Sequence, residues 1–134
     1  MNKETRITVW NKFNNRCSYC GEKIRYEDMQ VDHVIPKLNF KTIIKNKQYK
    51  VPLFLKHITT EDLNHIDNLF PSCRICNKRK DTYHLELFRF ELSQQSIRAF
   101  KTSSNYRMAL KYNQIIETPS SITFYFEQYQ YLHS

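Results

Sequence analysis

The chain has 134 residues, a length that suits one domain with a modest core. Hydrophobic residues make up 40% of it and aromatic residues 14%, with one Gly and four Pro, which excludes a low-complexity or disordered chain. No apolar run approaches the roughly 20 residues of a membrane-spanning helix and nothing resembles a signal peptide, so we expect a cytoplasmic protein with no membrane partner. The formal net charge of +8 favours a polyanionic partner without separating DNA from RNA.

The first predicted element is a short helix from residue 3 to about residue 14. Ile7, Trp10 and Phe13 recur there at helical spacing, and Asn14-Asn15 is a reasonable stop. A tight turn is expected next, in which Gly21 can take a positive φ.

Four cysteines form two C-x-x-C pairs, Cys17 with Cys20 and Cys73 with Cys76. Two such pairs predict one tetrahedral site for a structural Zn²⁺ that joins two distant parts of the chain. The alternatives are free reduced thiols or a redox pair, although a redox role would usually need only one pair in a βαβ setting. In a reducing compartment a metal explains these cysteines better than disulfides do.

Asp32 and His33 fall in a short apolar stretch, residues 29–35, which predicts a strand ended by Pro36. Asp32 and the amide oxygen of Asn77 are hard ligands suited to Mg²⁺ or Mn²⁺, and His33 is suited to act as a general base. Because successive side chains of a strand point to opposite faces, Asp32 and His33 can reach one phosphate only if the backbone twists or bulges.

Residues 37–67 are basic at first and show no clear periodicity. A stretch of this kind is usually functional or mobile. We give equal weight to two interpretations, a DNA-facing insertion and a plain surface excursion.

The pattern turns helical from Arg74 onward, where Leu85, Phe88 and Leu92 form a core stripe. A second helix is predicted from Ser104 to Ile115, with Ser103 or Ser104 as its cap. After Pro119, the alternation of three apolar residues predicts a strand at Ile122, Phe124 and Phe126.

Three segments taken together resemble the His-Asn-His (HNH) endonuclease family with a zinc-ribbon clamp: Val31-Asp-His-Val-Ile-Pro36, Asp67-Asn-Leu69 and Cys73-Arg-Ile-Cys-Asn-Lys-Arg-Lys80. The match covers residues 17 to 80. The resemblance implies a ββα-metal finger, in which two strands and a helix grip one catalytic metal ion against duplex DNA.

We therefore expect an α+β fold with a ββα-metal core and structural zinc. An N-terminal helix and a C-terminal helix-helix-strand extension would flank this core. The whole of residues 1–134 would form a single HNH domain, with the motif core in 17–92 and an extension of unassigned role in 93–134.

By motif position, the resemblance implies that His33 is the general base that activates water. Asn68 would be the middle residue, whose side chain or backbone oxygen orients His33. Asp32 and Asn77 would hold one catalytic Mg²⁺ or Mn²⁺, with Asn77 at a position where the family often has His. The long gap between His33 and Asn68 is the main departure from the family pattern.

Three basic residues close to Asn77 in the sequence are expected to contact DNA. Lys80 lies three residues after Asn77 and so near the same helix face, where it could reach a phosphate beside the scissile one. Arg79 and Arg74 are the other expected contacts. Contacts of this type position a duplex without reading its sequence.

The leading hypothesis is a metal-dependent DNA endonuclease that hydrolyses phosphodiester bonds of double-stranded DNA. The first alternative is a zinc-stabilised nucleic-acid-binding module without cleavage activity, and the second is a zinc scaffold for protein partners. The combination of acidic, imidazole and amide groups counts against a pure binder, which has no need of a base. The family includes restriction and phage-defence enzymes, and an enzyme that cuts both strands would gain from forming a homodimer.

Overall fold

The computed structural model describes residues 1–133 and combines a two-stranded sheet with seven α-helices over that range. In chain order the elements are α1 (Lys3–Asn11), β1 (Gln30–His33), α2 (Phe40–Asn46), β2 (Leu69–Ser72), α3 (Arg74–Lys80), α4 (Leu85–Ser93), α5 (Gln95–Thr102), α6 (Ser104–Lys111) and α7 (Tyr125–His133). Short 3₁₀ turns lie at Tyr26–Asp28, Gln48–Lys50, Leu53–Leu55 and Ile66–Asn68. The predicted α+β class is confirmed. Among residues 1–133, none of the helices has the length and apolar character needed to cross a bilayer.

The two strands pair antiparallel, with Asp32 opposite Phe70 and His33 opposite Leu69. Strand β2 runs through Cys73 directly into α3, which packs against β1. Within β1, Asp32 is buried and its neighbour His33 is half-buried, and successive side chains of a strand point to opposite faces. This strand–strand–helix unit sets the position of every motif residue discussed below.

The N-terminal helix is present as predicted, and asparagines lie next to both of its ends. The side chain of Asn2 caps α1 by accepting a hydrogen bond of 2.8 Å from the Thr5 amide. Beyond the helix, Asn14 and Asn15 adopt left-handed backbone angles, with φ of 57° and 60°. Asparagine tolerates this conformation better than most residues, so the predicted stop is confirmed.

Aromatic side chains from distant parts of the chain form the centre of the core. The ring of Phe70 on β2 lies 5.0 Å from that of Phe13 and 4.9 Å from that of Phe126, and Tyr19 lies 5.2 Å from Phe124. Each such pair contributes about 0.5–1.5 kcal/mol beyond the area it buries. The core therefore ties the two ends of the chain to the sheet.

The insertion at residues 37–67 is part of the folded body. Helix α2 buries Phe40, Ile43 and Ile44, and Val51 and Leu55 after it are also buried in the same core cluster. The interpretation of this segment as a plain surface excursion is therefore wrong. Whether the segment faces DNA stays a prediction.

The C-terminal strand predicted at Ile122–Phe126 is wrong, because α7 begins there at Tyr125. The carboxylate of Glu127 accepts a hydrogen bond of 2.9 Å from the amide of Phe124, which is one half of a capping box. The alternating apolar residues do lie inside, since Phe124 and Phe126 are both buried. An alternation of only three apolar residues is compatible with a strand and equally with a buried segment that leads into a helix.

The other helices after α3 agree in part with the predictions. Leu85 and Phe88 are the buried residues of α4, as the core stripe predicted. Ser103 caps α6 by accepting from the amide of Tyr106 at 3.1 Å, and that helix ends at Lys111. Helices α2 and α5 lie where no helix was predicted.

Candidate functional site

The four cysteines converge on one point. Their sulfur atoms all lie within 4.8 Å of one another, and the sulfurs of Cys20 and Cys73 are 3.9 Å apart. Backbone amides support the cluster, because Tyr19 donates to the sulfur of Cys17 at 3.4 Å and Cys76 donates to the sulfur of Cys73 at 3.3 Å. A set of four sulfur ligands at this spacing can hold a structural metal ion.

Hydrogen bonds and burial shift the pKa values of three of the four thiols. The hydrogen bond from Cys76 lowers the pKa of Cys17 to about 4, and the same bond raises the pKa of Cys76 far above its usual range. Burial raises the pKa of Cys20 to about 11. A cation bound among the four sulfurs would favour their deprotonated forms.

The first cysteine pair is also connected to the sheet. Ser18 donates two hydrogen bonds to the carbonyl of Pro71 on β2, from its amide at 2.9 Å and from its hydroxyl at 2.7 Å. The hydroxyl of Tyr19 donates to the carboxylate of Asp32. Burial raises the pKa of Tyr19 well above its usual value, so the phenol keeps its proton and remains a donor.

Asp32 forms a buried ion pair with Lys80. The ammonium of Lys80 lies 3.1 Å from Oδ2 of Asp32 and 3.0 Å from the carbonyl of His33. The Lys80 side chain is 0% exposed and that of Asp32 only 6%. Burial raises the pKa of Asp32 and lowers the pKa of Lys80, while the attraction between the two charges opposes both shifts.

This burial corrects the expected role of Lys80. A fully buried ammonium already engaged by a carboxylate and a carbonyl does not contact a DNA phosphate. Arg74 and Arg79, by contrast, lie exposed on α3. Helical periodicity correctly predicted that Lys80 lies near the same face of α3 as Asn77. That face, however, is directed at β1.

His33 is held by a residue that the sequence did not single out. Its Nε2 atom lies 2.8 Å from the side-chain oxygen of Asn64. Asn68 instead supports the backbone beyond His33, because its side-chain oxygen accepts from the Ile35 amide at 2.8 Å and its backbone oxygen accepts from the Val34 amide at 3.0 Å. The amide nitrogen of Asn68 donates to two carbonyls, so its side chain is occupied away from the imidazole.

Asn77 lies in the middle of α3 and is half-buried. Within residues 1–133, no hydrogen bond occupies its side chain. Since Asn77 precedes Lys80 by three residues, both lie on the side of α3 near β1. The amide oxygen of Asn77 and the carboxylate of Asp32 suit Mg²⁺ or Mn²⁺, and a cation between them would compete with Lys80 for the carboxylate.

A search of curated proteins finds a relative of this chain in Bacillus subtilis (strain 168), named "SPbeta prophage-derived putative HNH endonuclease YoqL". The two are 37% identical over 82 residues, which cover 58% of this chain and 30% of the relative. The resemblance to the HNH family is confirmed. No family model matches the chain, and no solved structure matches it.

The residues at the HNH motif positions come together in two groups. Asp32 and the helix face that carries Asn77 lie on the inner side of β1, whereas His33 lies on its outer side with Asn64. The strand does not bulge to bring Asp32 and His33 to one face. Asp32 and His33 are linked instead through Lys80, which contacts the side chain of the first and the carbonyl of the second.

Lys12 is another residue that the sequence did not reveal. Lys12 directly follows α1, and its ammonium reaches the carbonyls of Ile66 at 2.5 Å and Leu69 at 2.9 Å, on either side of Asn68. Burial lowers the pKa of Lys12 to about 8. Lys12 therefore fixes the turn that leads from Asn64 into β2, although nothing about a lysine in an N-terminal helix signals this contact.

Replacement of Lys80 by methionine is expected to lower the free energy of unfolding by about 3–5 kcal/mol, because it leaves the carboxylate of Asp32 buried without a counter-charge. Chemical denaturation of zinc-loaded protein measures the loss. The matched control is Lys78→Met, which removes an exposed lysine from the same helix and should change stability by only about 0.5 kcal/mol. If the two substitutions lowered the free energy of unfolding equally, the Asp32–Lys80 ion pair would not stabilise the fold as its contacts indicate.

Proposed function

We propose that this chain is a metal-dependent HNH endonuclease that hydrolyses phosphodiester bonds of double-stranded DNA. The observation that carries the proposal is the half-buried His33 at the end of β1, whose imidazole is oriented by Asn64. The name of the Bacillus subtilis relative supports a nuclease and hence a nucleic-acid substrate. The chain covers less than a third of that relative, so the proposal rests mainly on the groups around His33.

The contact with Asn64 supports Nδ1 of His33 as the base. An amide oxygen can only accept a hydrogen bond, so Nε2 carries the proton and Nδ1 carries the free lone pair. Nδ1 takes a proton from water as the water oxygen bonds to phosphorus and the bond from phosphorus to the leaving sugar oxygen breaks. The oxygen of Asn64 then stabilises the imidazolium that forms.

The catalytic cation of this proposal is Mg²⁺ or Mn²⁺, which Asp32 and Asn77 would hold; the cation and His33 would act on one phosphate only if β1 twists at these residues when DNA binds. When bound, such a cation neutralises charge on the scissile phosphate and on the leaving oxygen. Lys80 acts here as a positioning residue, since it fixes the carboxylate of Asp32 and the backbone of His33 together. The four cysteines hold a structural Zn²⁺ that keeps β2 and α3 in place.

DNA contacts are proposed for the exposed cations of α3. Arg74 and Lys78 line an open groove of about 1000 Å³ between this helix and residues 22–30, and Arg79 lies beside them on the helix. Three carboxylates, of Glu22, Glu27 and Asp28, line the same groove, so the net charge of +8 supports attraction of a polyanion to the protein as a whole rather than to this groove alone. Contacts of this kind give an affinity that falls steeply as salt is raised.

One observation favours the alternative of a nucleic-acid-binding module that does not cleave. Asp32 is engaged by Tyr19 and Lys80 on the face of β1 opposite to His33. If no cation can displace Lys80, the metal site fails to form while the basic surface remains. The zinc cluster and the exposed arginines would then serve binding alone.

Plasmid cleavage tests the two functions directly. The purified protein is incubated with supercoiled DNA in the presence of Mg²⁺, Mn²⁺ or EDTA, beside a mobility-shift measurement on the same DNA at several salt concentrations. Nicking or linearisation with a divalent ion, absent in EDTA, is the expected result. Salt-dependent binding without cleavage under any ion supports the binding module, and the absence of both binding and cleavage supports the scaffold for protein partners.

A further inference from the structure

His57, His65 and Asp67 form a second group of metal-ligating side chains, apart from the cysteines. Nε2 of His57 lies 2.8 Å from Oδ2 of Asp67, and Nδ1 of His65 lies 3.8 Å from the same oxygen. One ligand atom from each residue lies within 4.8 Å of the other two. The three side chains are 50%, 35% and 48% exposed, so an ion from solution can reach them.

The chemistry of this group suits a transition metal rather than Mg²⁺. Two imidazoles and one carboxylate are a typical ligand set for Zn²⁺, whereas Mg²⁺ prefers oxygen ligands and retains water. The hydrogen bond between His57 and Asp67 places a proton between Nε2 of the first and Oδ2 of the second. A metal ion in the place of that proton could bind both atoms. We propose that His57, His65 and Asp67 bind a Zn²⁺ ion, with solvent completing its coordination.

Binding of this ion would alter the local hydrogen bonds. The amide of Asp67 donates to Nδ1 of His65 at 3.0 Å, in the turn that begins the 3₁₀ segment Ile66–Asn68. An imidazole that ligates through Nδ1 uses the lone pair that accepts this bond, and one that ligates through Nε2 carries its proton on Nδ1, so the bond is given up in both cases. Either arrangement replaces the proton shared by His57 and Asp67, so only limited movement is needed.

The site would brace the segment that orients His33. His57 follows the 3₁₀ turn Leu53–Leu55 of the insertion, and His65 is next to Asn64, whose oxygen contacts the His33 imidazole. An ion shared by residues 57, 65 and 67 closes a loop around this asparagine. The inference does not depend on the proposed nuclease activity, because the three side chains would bind the ion in the absence of DNA.

Native mass spectrometry of the full chain titrated with Zn²⁺ counts the bound ions. The wild type is expected to bind two, one at the cysteines and one here, whereas the His57→Ala/His65→Ala variant binds one. The control is His133→Ala, which removes an exposed histidine from the end of α7 and should still bind two. A wild type that saturates at one ion, or a double variant that retains two, would overturn the proposal.

Hydrogen exchange separates a defined site from loose binding by surface histidines. With protein already loaded with one equivalent of Zn²⁺, a further excess of about a hundred times the dissociation constant should slow amide exchange within residues 57–67 by up to about 100-fold. The protection should be absent in the double variant. Unchanged exchange in the wild type would contradict the site even if mass spectrometry counted a second ion, and neither readout requires cleavage of DNA.

Discussion

Replacement of His33 by alanine is expected to reduce the rate of metal-dependent DNA cleavage by about 10²–10⁴-fold, the usual contribution of a positioned general base. DNA affinity and the fold should remain, because the imidazole is half-buried and its hydrogen bond goes to the exposed side chain of Asn64. The buried contact at this position belongs to the His33 carbonyl, which the substitution keeps. Plasmid cleavage rates and mobility shifts at one salt concentration measure the two properties separately.

His133→Ala is the matched control for this experiment as well. It removes the same type of side chain from a position in α7 far along the chain from β1, so cleavage should proceed at the wild-type rate. If the His33→Ala variant instead cleaved DNA at the wild-type rate, another group would have to activate water. Loss of binding together with cleavage would place His33 in the recognition of DNA rather than in the chemistry.

The cluster of four cysteines could be predicted from sequence because the chemistry of two C-x-x-C pairs leaves few arrangements. A C-x-x-C turn brings its own two sulfurs together through local backbone geometry, and one metal ion then suffices to join both turns. The strand at Asp32 and the stop at Asn14-Asn15 are likewise local, each set by a few neighbouring residues. These predictions required no knowledge of which segments meet.

The partners of the motif residues could not be predicted in the same way. Lys80 meets Asp32 across 48 positions of the sequence, and Asn64 meets His33 across 31. No periodicity relates such pairs, and a lysine three residues after Asn77 fits a phosphate contact as well as it fits a buried ion pair. Only the packing of α3 onto β1 decides between the two.

The C-terminal helix shows how tertiary contacts can override a local pattern. The amides of Tyr125 and Phe126 donate to the carbonyls of Tyr19 and Ser18 at 3.0 and 2.8 Å, so the start of α7 is fixed against the first cysteine turn. Gly21 lies directly beneath, where an added Cβ would come within 3.1 Å of the Tyr125 ring. The extension thus packs against the first cysteine turn.

A chain of contacts leads from the cysteines to the candidate base. Tyr19, between the first two cysteines, donates to Asp32; Asp32 pairs with Lys80; and Lys80 donates to the carbonyl of His33. The second cysteine pair begins α3 and so determines where Lys80 and Asn77 lie. Loss of the metal should therefore disturb the site as well as the fold.

Cys76→Ser is expected to abolish stoichiometric Zn²⁺ binding at the cysteines and to remove cooperative thermal unfolding. Structural zinc sites supply about 10–16 kcal/mol of apparent binding free energy in zinc-finger peptides. This is as large as the stability of many whole domains, about 5–15 kcal/mol, so the remaining core should not hold the fold alone. Zinc content by atomic absorption and thermal unfolding followed by circular dichroism measure the two losses.

Chelation of the wild type provides the second arm of this experiment. A strong chelator should unfold the wild type and added Zn²⁺ should restore it, whereas the Cys76→Ser protein should not recover. The His57→Ala protein should behave as the wild type does, because the ion that holds the fold is bound by sulfur. If the cysteines formed disulfides instead, a reductant would unfold the protein and a chelator would not, since the sulfur cluster would then be joined by covalent bonds rather than by a metal.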